Sequence, residues 1–282
     1  MKDKFALGIS IEGQELNVAQ LRLSKHITEI VNLKSFTLKA HSNGDTPLLD
    51  APQVDDDNPE KLFAEGEIEQ QGTKILIEEE SEVSDDSGVY LDILRLSDNR
   101  SNQIALSLAE PQIYYHVFES NWGLKGKKTW SKINEELALQ NDNPQIYNKD
   151  NVGLLELSDS RMMGIVRGDT PTVFEQFKQT EILTGDKFPP VDFTEGIETS
   201  LVNLFTNIYS PSDGTFSLIL HVGVDYSRLI FTKGNCIFHI SQIISHGSRT
   251  KNILLILFSK LQFELDSLHA LKLDQIILTG LA

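Results

Sequence analysis

Apolar and polar residues alternate over three consecutive stretches near the start of the chain, 5–11, 16–23 and 29–38, separated by Glu12-Gly13-Gln14-Glu15 and Ser24-Lys25-His26. A period of two is the pattern of a strand with one buried face, and short polar breaks join such strands antiparallel, so the sequence predicts a three-stranded meander. The pattern returns at 216–222, 228–232 and 236–243, with breaks at Gly223-Val224-Asp225-Tyr226-Ser227 and Lys233-Gly234-Asn235. Two copies so far apart make a diverged internal repeat. After the second copy the period changes. Ile253, Leu254, Leu257, Phe258, Leu261, Leu265 and Leu268 recur at three- and four-residue steps, which predicts a helix capped by Ser248 or Thr250 and running to His269. Gln275-Ile276-Ile277-Leu278-Thr279-Gly280 then reads as a short buried strand ending on glycine.

The middle of the chain is mixed. Strands are expected at 89–96, 103–108 and 112–119 and a helix at 129–140, a small α+β unit ending near Pro144. A hairpin follows at 152–157 and 161–167, then helices at 171–182, with Pro171 in the first turn, and at 194–209, with Thr194 as cap. Meander, helix and strand in that order predict an α/β (α+β) layered fold.

Charge sharpens the organisation. The 282 residues carry 25 bases and 41 acids, a net of −16. Fifteen of those acids, against Lys61 and Lys74 alone, lie between Asp45 and Ser87, which concentrates −13 there and leaves −3 for the rest. Pro47, Pro52 and Pro59 and the lack of apolar periodicity mark this stretch as a mobile insertion in which only Lys74–Ile77 suits a short strand. So acidic a chain is poorly suited to neutralising phosphates by counterion release, and nucleic acid is not an expected partner. The single cysteine, Cys236, forms no intramolecular disulfide and points to a reducing, cytoplasmic setting. The longest apolar run, Ile253–Phe258, falls far short of the ~20 residues that span a bilayer.

The duplicated hairpins, closed by a helix and an Ile-Ile-Leu-x-Gly strand, resemble the actin-like ATPase superfamily, and within it the PilM-type proteins of type IV pilus assembly, with the FtsA type more distant. The resemblance covers residues 5–38, 88–210 and 215–282. It implies an actin-like, ribonuclease H-like fold with two related halves. Residues 1–38 with 151–210 would form the first subdomain, 39–87 the acidic insertion, 88–150 an inserted small α+β subdomain, and 211–282 the start of a truncated or short second half lacking the part that covers a nucleotide base. In that superfamily a glycine-containing hairpin turn offers backbone N–H groups to phosphates while an aspartate serves the metal or a water. The residues that fall at such places here are Gly13, Gln14, Gly223, Asp225, Ser227 and, in Leu278-Thr279-Gly280-Leu281, Gly280.

Three departures change the expectation. Ser10 and His221 stand where the two aspartates belong, and Glu12 stands at the first turn glycine, where a carboxylate repels the ligand it should hold. No catalytic residue, metal ligand or cofactor is therefore expected, and at most a weak ATPase. The leading expectation is a catalytically degenerate, PilM-like docking protein at the cytoplasmic face of the inner membrane. The resemblance implies a partner that is a protein or short peptide of an inner-membrane complex, bound in a groove of the small subdomain or between subdomains, with membrane association only through that partner. Two alternatives stay open: an active ATPase that holds ATP and magnesium through Gly13, Gln14, Gly223 and Ser227, and a polymerising FtsA-like protein. A homodimer is also open. Trp122, Lys125, Lys127, Lys128 and Trp130 form a basic, tryptophan-flanked stretch suited to partner contact. His221, inside an apolar strand, is expected to be a satisfied core or cleft histidine. His246-Gly247-Ser248 reads as a helix-entry turn, Asp55–Glu60 as solvated acid without calcium-loop spacing, and the Asn99 sequon has no secretory context.

Overall fold

The computed structural model describes residues 4–24, 27–38, 87–97, 102–110, 112–118, 127–139, 147, 149–167, 172–269 and 272–280. The acidic segment and its expected strand at Lys74–Ile77 lie outside these residues. Residues 1–38 and 87–282 belong to one unit.

The first meander is β1 (Lys4–Glu12), β2 (Glu15–Ser24) and β3 (Ile27–Thr37), paired antiparallel in sequence order. Leu7, Ile9, Ile11, Leu16 and Val18 are buried on one face, the face that the alternation marks. A helix, α1 (Ser87–Ser97), leads to β4 (Asn102–Leu108), which joins the sheet parallel to β1. A strand was the sequence expectation for 89–96. The stretch Val89-Tyr90-Leu91-Asp92-Ile93-Leu94 is too densely apolar for its period to discriminate, and the helix wins by burying Tyr90 and Ile93, one turn apart, over the meander.

A three-stranded sheet follows, built from β5 (Ile113–Val117), β6 (Val152–Glu156) and β7 (Met162–Arg167) in the order β5-β7-β6. Helix α2 (Lys127–Ala138) covers it through Ile133 and Leu137, packed with Phe118, Tyr147 and Val166. By strand pairing, then, the small sheet spans 113–167, while 102–108 belongs to the first sheet; the sequence expectation drew that boundary at 88–150.

Next come α3 (Thr172–Thr184), β8 (Phe193–Gly196) and α4 (Ile197–Tyr209). Thr194 does not cap the helix as expected: 193–196 pair parallel with β4, and the cap is Gly196. The second meander is β9 (Phe216–Val222), β10 (Ser227–Lys233) and β11 (Cys236–Ile240), followed by α5 (Ile253–Ser267) and β12 (Gln275–Gly280). The cap of α5 is Asn252, in the left-handed region at φ 62°, and neither Ser248 nor Thr250 serves.

The first sheet runs β3-β2-β1-β4-β8 and the second β11-β10-β9-β12. β10 is buried from Ser227 to Thr232 because both of its faces are covered. Leu229 and Phe231 meet Leu257 of α5, whereas Ile230 meets Val202 and Phe205 of α4 together with Leu157 and Met163 of the small sheet. Residues of α4, the small sheet and the second half thus share one apolar cluster. Buried area of that kind is stabilising at roughly 25 cal/mol per Å².

Candidate functional site

The turns after β1 and β9 face one another across the junction of the two halves. Gly13, at φ 59°, makes the first turn, and a Cβ placed on it would lie 3.6 Å from Asp225 Oδ2 in the second. Glu12, the last residue of β1, reaches across. Its Oε2 lies 3.2 Å from His221 Nε2, a contact between residues 209 apart in sequence, with His221 buried and Glu12 largely so. The other ring nitrogen, His221 Nδ1, lies 3.3 Å from Thr279 Oγ1 on β12.

The other oxygen, Glu12 Oε1, is buried without a hydrogen-bond partner among the described residues and lies against Gly223. A Cβ on Gly223 would come within 1.5 Å of it. A side chain at 223 would therefore displace the Glu12 carboxylate, the movable end of its side chain, and the turn does not need a positive φ there.

Three donors of the second turn are engaged internally. Gly223 N–H donates to Tyr226 O at 2.8 Å, Ser227 N–H to Ile244 O at 2.9 Å, and the Ser227 hydroxyl to His246 O at 2.7 Å. Asp225 is exposed and lies 3.8 Å from Arg249. Gln14 is exposed, and its carbonyl accepts from Leu38 N–H. Gly280, at φ 110°, packs directly on the Val222 backbone. Of the six residues expected at a phosphate site, Gly13, Gly223 and Asp225 do converge, with Glu12 among them.

A second polar cluster lies deeper. Arg228 of β10 is buried, and its Nη1 donates to Glu110 at 2.7 Å and to Glu198 at 3.1 Å, while Nε donates to Ser241 O at 2.9 Å. The Tyr115 hydroxyl donates to the other Glu198 oxygen at 2.7 Å, and the Tyr115 ring lies 5.4 Å from the guanidinium. Burial and then the neighbouring Glu198 push Tyr115 above its ordinary pKa. Burial and then Glu12 do the same to Tyr226, whose hydroxyl is buried without a partner among the described residues. For Arg228, burial works against the charged form, but Glu198 and Glu110 outweigh it and the net direction is up. Two carboxylates, Glu110 and Glu198, thus share one buried cation. Sequence reasoning missed this cluster, although an arginine in the otherwise buried strand Ser-Arg-Leu-Ile-Phe-Thr was its signal, since buried charges are paired.

Neither a protein-family model nor any curated protein sequence matches the chain. Solved structures do. A protein of unknown function from Bacteroides thetaiotaomicron, described as having an actin-like ATPase fold, aligns over 99% of this chain and 83% of its own with a TM-score of 0.51 at 10% identity. A PilM-PilN type IV pilus biogenesis complex aligns over 98% of this chain and 81% of its own with a TM-score of 0.58 at 14% identity. The chain has the actin-like ATPase fold.

Within the actin-like fold, the second candidate region is only partly described. Trp122 and Lys125 lie outside the described residues. Lys127 opens α2 and Lys128 is exposed. Trp130 packs half-buried on the core of the small sheet, which gives it a structural role whatever else it does. A groove of about 200 Å³ lies instead between that sheet and β8, lined by Ile113, Ile165, Lys149, Arg167, Thr194 and Glu195 among others. Neither Lys149 nor Arg167 has an ion-pair partner among the described residues. No helix among the described residues is long and apolar enough to cross a membrane.

Proposed function

We propose that this chain is a catalytically degenerate actin-like protein that docks a polypeptide partner of an inner-membrane assembly at the cytoplasmic face. The observation that carries the reading is the Glu12 carboxylate, seated against Gly223 between the two hairpin turns. It is a fixed anion where a nucleotide-binding relative would seat phosphate. A second unit charge brought to about 4 Å costs about 4 kcal/mol at an effective dielectric constant near 20, roughly a thousandfold in affinity. Occupied donors in the second turn and a surplus of carboxylates around Arg228 act in the same direction.

Docking is supported by two further observations. The likeness in fold to PilM, a protein found in complex with PilN, makes pilus-type assembly the model for the partner. The groove between β8 and the small sheet combines apolar walls with both bases, Lys149 and Arg167, and acids, Asp150 and Glu195, which suits an extended peptide of mixed polarity. Thermal unfolding with ATP and magnesium tests the reading. No shift in midpoint is expected, and a saturable shift accompanied by phosphate release overturns it.

A further inference from the structure

The internal repeat shows one place that a side chain fills in the first half and leaves open in the second. Counted back from the two hairpin turns, Ile9 of β1 corresponds to Leu220 of β9, and their partners on the return strands are Leu106 and Leu278. Toward the other edge, the first sheet continues from Ile9 to Val18 and Lys34, and the second from Leu220 to Leu229 and Ser241. Lys34 and Ser241 are therefore equivalent positions. Lys34 crosses from β3 to α1, where its ammonium lies 3.3 Å from Asp92 and 5.9 Å from the centre of the Phe36 ring. Ser241 reaches no helix, because its hydroxyl accepts from Leu229 N–H at 3.1 Å and donates to Gln242 O at 2.9 Å.

The next matched pairs are Phe36 with Leu16 and Ile244 with Ser227, two residues on from Lys34 but three on from Ser241. The second half thus carries an extra residue here, and Gln242 and Ile243 bulge out of the ladder. Between this bulge and α5 lies an open cavity of about 400 Å³. It sits at the opposite edge of the sheet from β12, and its walls come from residues between Leu229 and Glu264. Its helix wall is Lys260, Phe263 and Glu264. Glu264 Oε2 lies 3.1 Å from His239 Nε2, while Glu264 Oε1 accepts no hydrogen bond from the described residues. Lys260, one turn earlier on the same side of α5, makes no ion pair among the described residues.

We propose that this cavity binds a small zwitterion, an ammonium and a carboxylate joined by a short aliphatic stem. The first half shows the chemistry that the place accepts: an ammonium on an aliphatic stem, set against a helix carboxylate. In the second half the helix carboxylate is present as Glu264, and the strand supplies no lysine to meet it. The ligand's ammonium pairs with Glu264 and its carboxylate with Lys260, each a charge-assisted contact. Ile240, Ile243 and the Phe263 ring, which also line the cavity, cover the stem. The ends must be set apart to match side chains one helical turn apart, about 5–6 Å between Cβ atoms. The proposal is independent of the Glu12 cleft and of the groove at β8.

The test is a nuclear magnetic resonance titration of the full chain with 6-aminohexanoate, read at the ring signals of His239 and Phe263. Hexylamine and hexanoate, which carry one charge each on a chain of the same length, serve as the comparison probes. Saturable binding of 6-aminohexanoate is expected, at least fivefold tighter than that of either comparison probe. Lys260→Gln and Glu264→Gln should each weaken it at least fivefold, whereas Lys251→Gln, in the turn before α5, leaves it unchanged. Lys260 is exposed, so its variant folds. Absence of saturable binding, binding that either Lys260→Gln or Glu264→Gln leaves unchanged, or equal binding of hexylamine or hexanoate overturns the proposal.

Discussion

The two halves of the molecule share one plan, and they differ at two matched places. Each is a meander, a helix and a strand returning parallel to the first strand. At the hairpin turn the first half has Glu12 where the second has Gly223, and the Glu12 side chain fills the space that the missing Cβ leaves. On the return strand, Leu106 is enclosed where Leu278 is open. A duplicated frame therefore sets where the two turns meet, while single side chains decide what occupies the meeting point. The buried first half and the open second half also assign different energetic roles to equivalent residues.

Breaking the junction between the halves gives the largest expected effect. Glu198→Ala leaves Arg228 buried with only the partly exposed Glu110 as anion, and the loss is about 3–5 kcal/mol, read by urea unfolding. Next comes the return strand itself. Leu106→Ala is expected to cost about 2–5 kcal/mol by opening a cavity among Leu7, Ile9 and Phe177. The equivalent Leu278→Ala stays within about 0.5 kcal/mol, as for exposed sites. Equal losses at the two positions would erase the contrast between the halves.

The smallest effect is on pH dependence. Tyr115 and Tyr226 hold their protons more tightly in the folded protein than the ordinary tyrosine value near 10. A raised folded-state pKa gives stability that is fully present below the unfolded value and is lost as pH rises beyond it. The melting midpoint should thus decline above about pH 10, and less steeply in Tyr226→Phe. Absorbance at the tyrosinate band, followed across the same range, should rise only with unfolding for these two residues.

Much of the frame was legible in the sequence because it rests on local patterning. Both meanders, α5 and β12 follow from a period of two or a broad helical stripe in a contiguous stretch. What failed was local too. At α1 the run Val89 to Leu94 has Asp92 as its one polar residue, too little punctuation to separate a strand from a helix. At Thr194 a good capping residue sits inside a four-residue strand, because pairing with β4 outweighs a cap worth about 1 kcal/mol. The site was half legible. Glu12 and His221 stood out as wrong for phosphate and metal, but their contact across 209 residues is a property of the folded junction. Arg228, Glu198, Glu110 and Tyr115 come from four separate elements or loops, and no spacing in the chain records their meeting.

Calorimetric titration of ATP with magnesium, run in parallel on the unaltered chain and on Glu12→Gly, tests the central claim most directly. The account predicts no binding heat from the unaltered chain up to millimolar nucleotide. It predicts a gain of affinity for ATP or pyrophosphate once the carboxylate is removed. Micromolar binding by the unaltered chain, undiminished or lost when Glu12 is replaced, would contradict it.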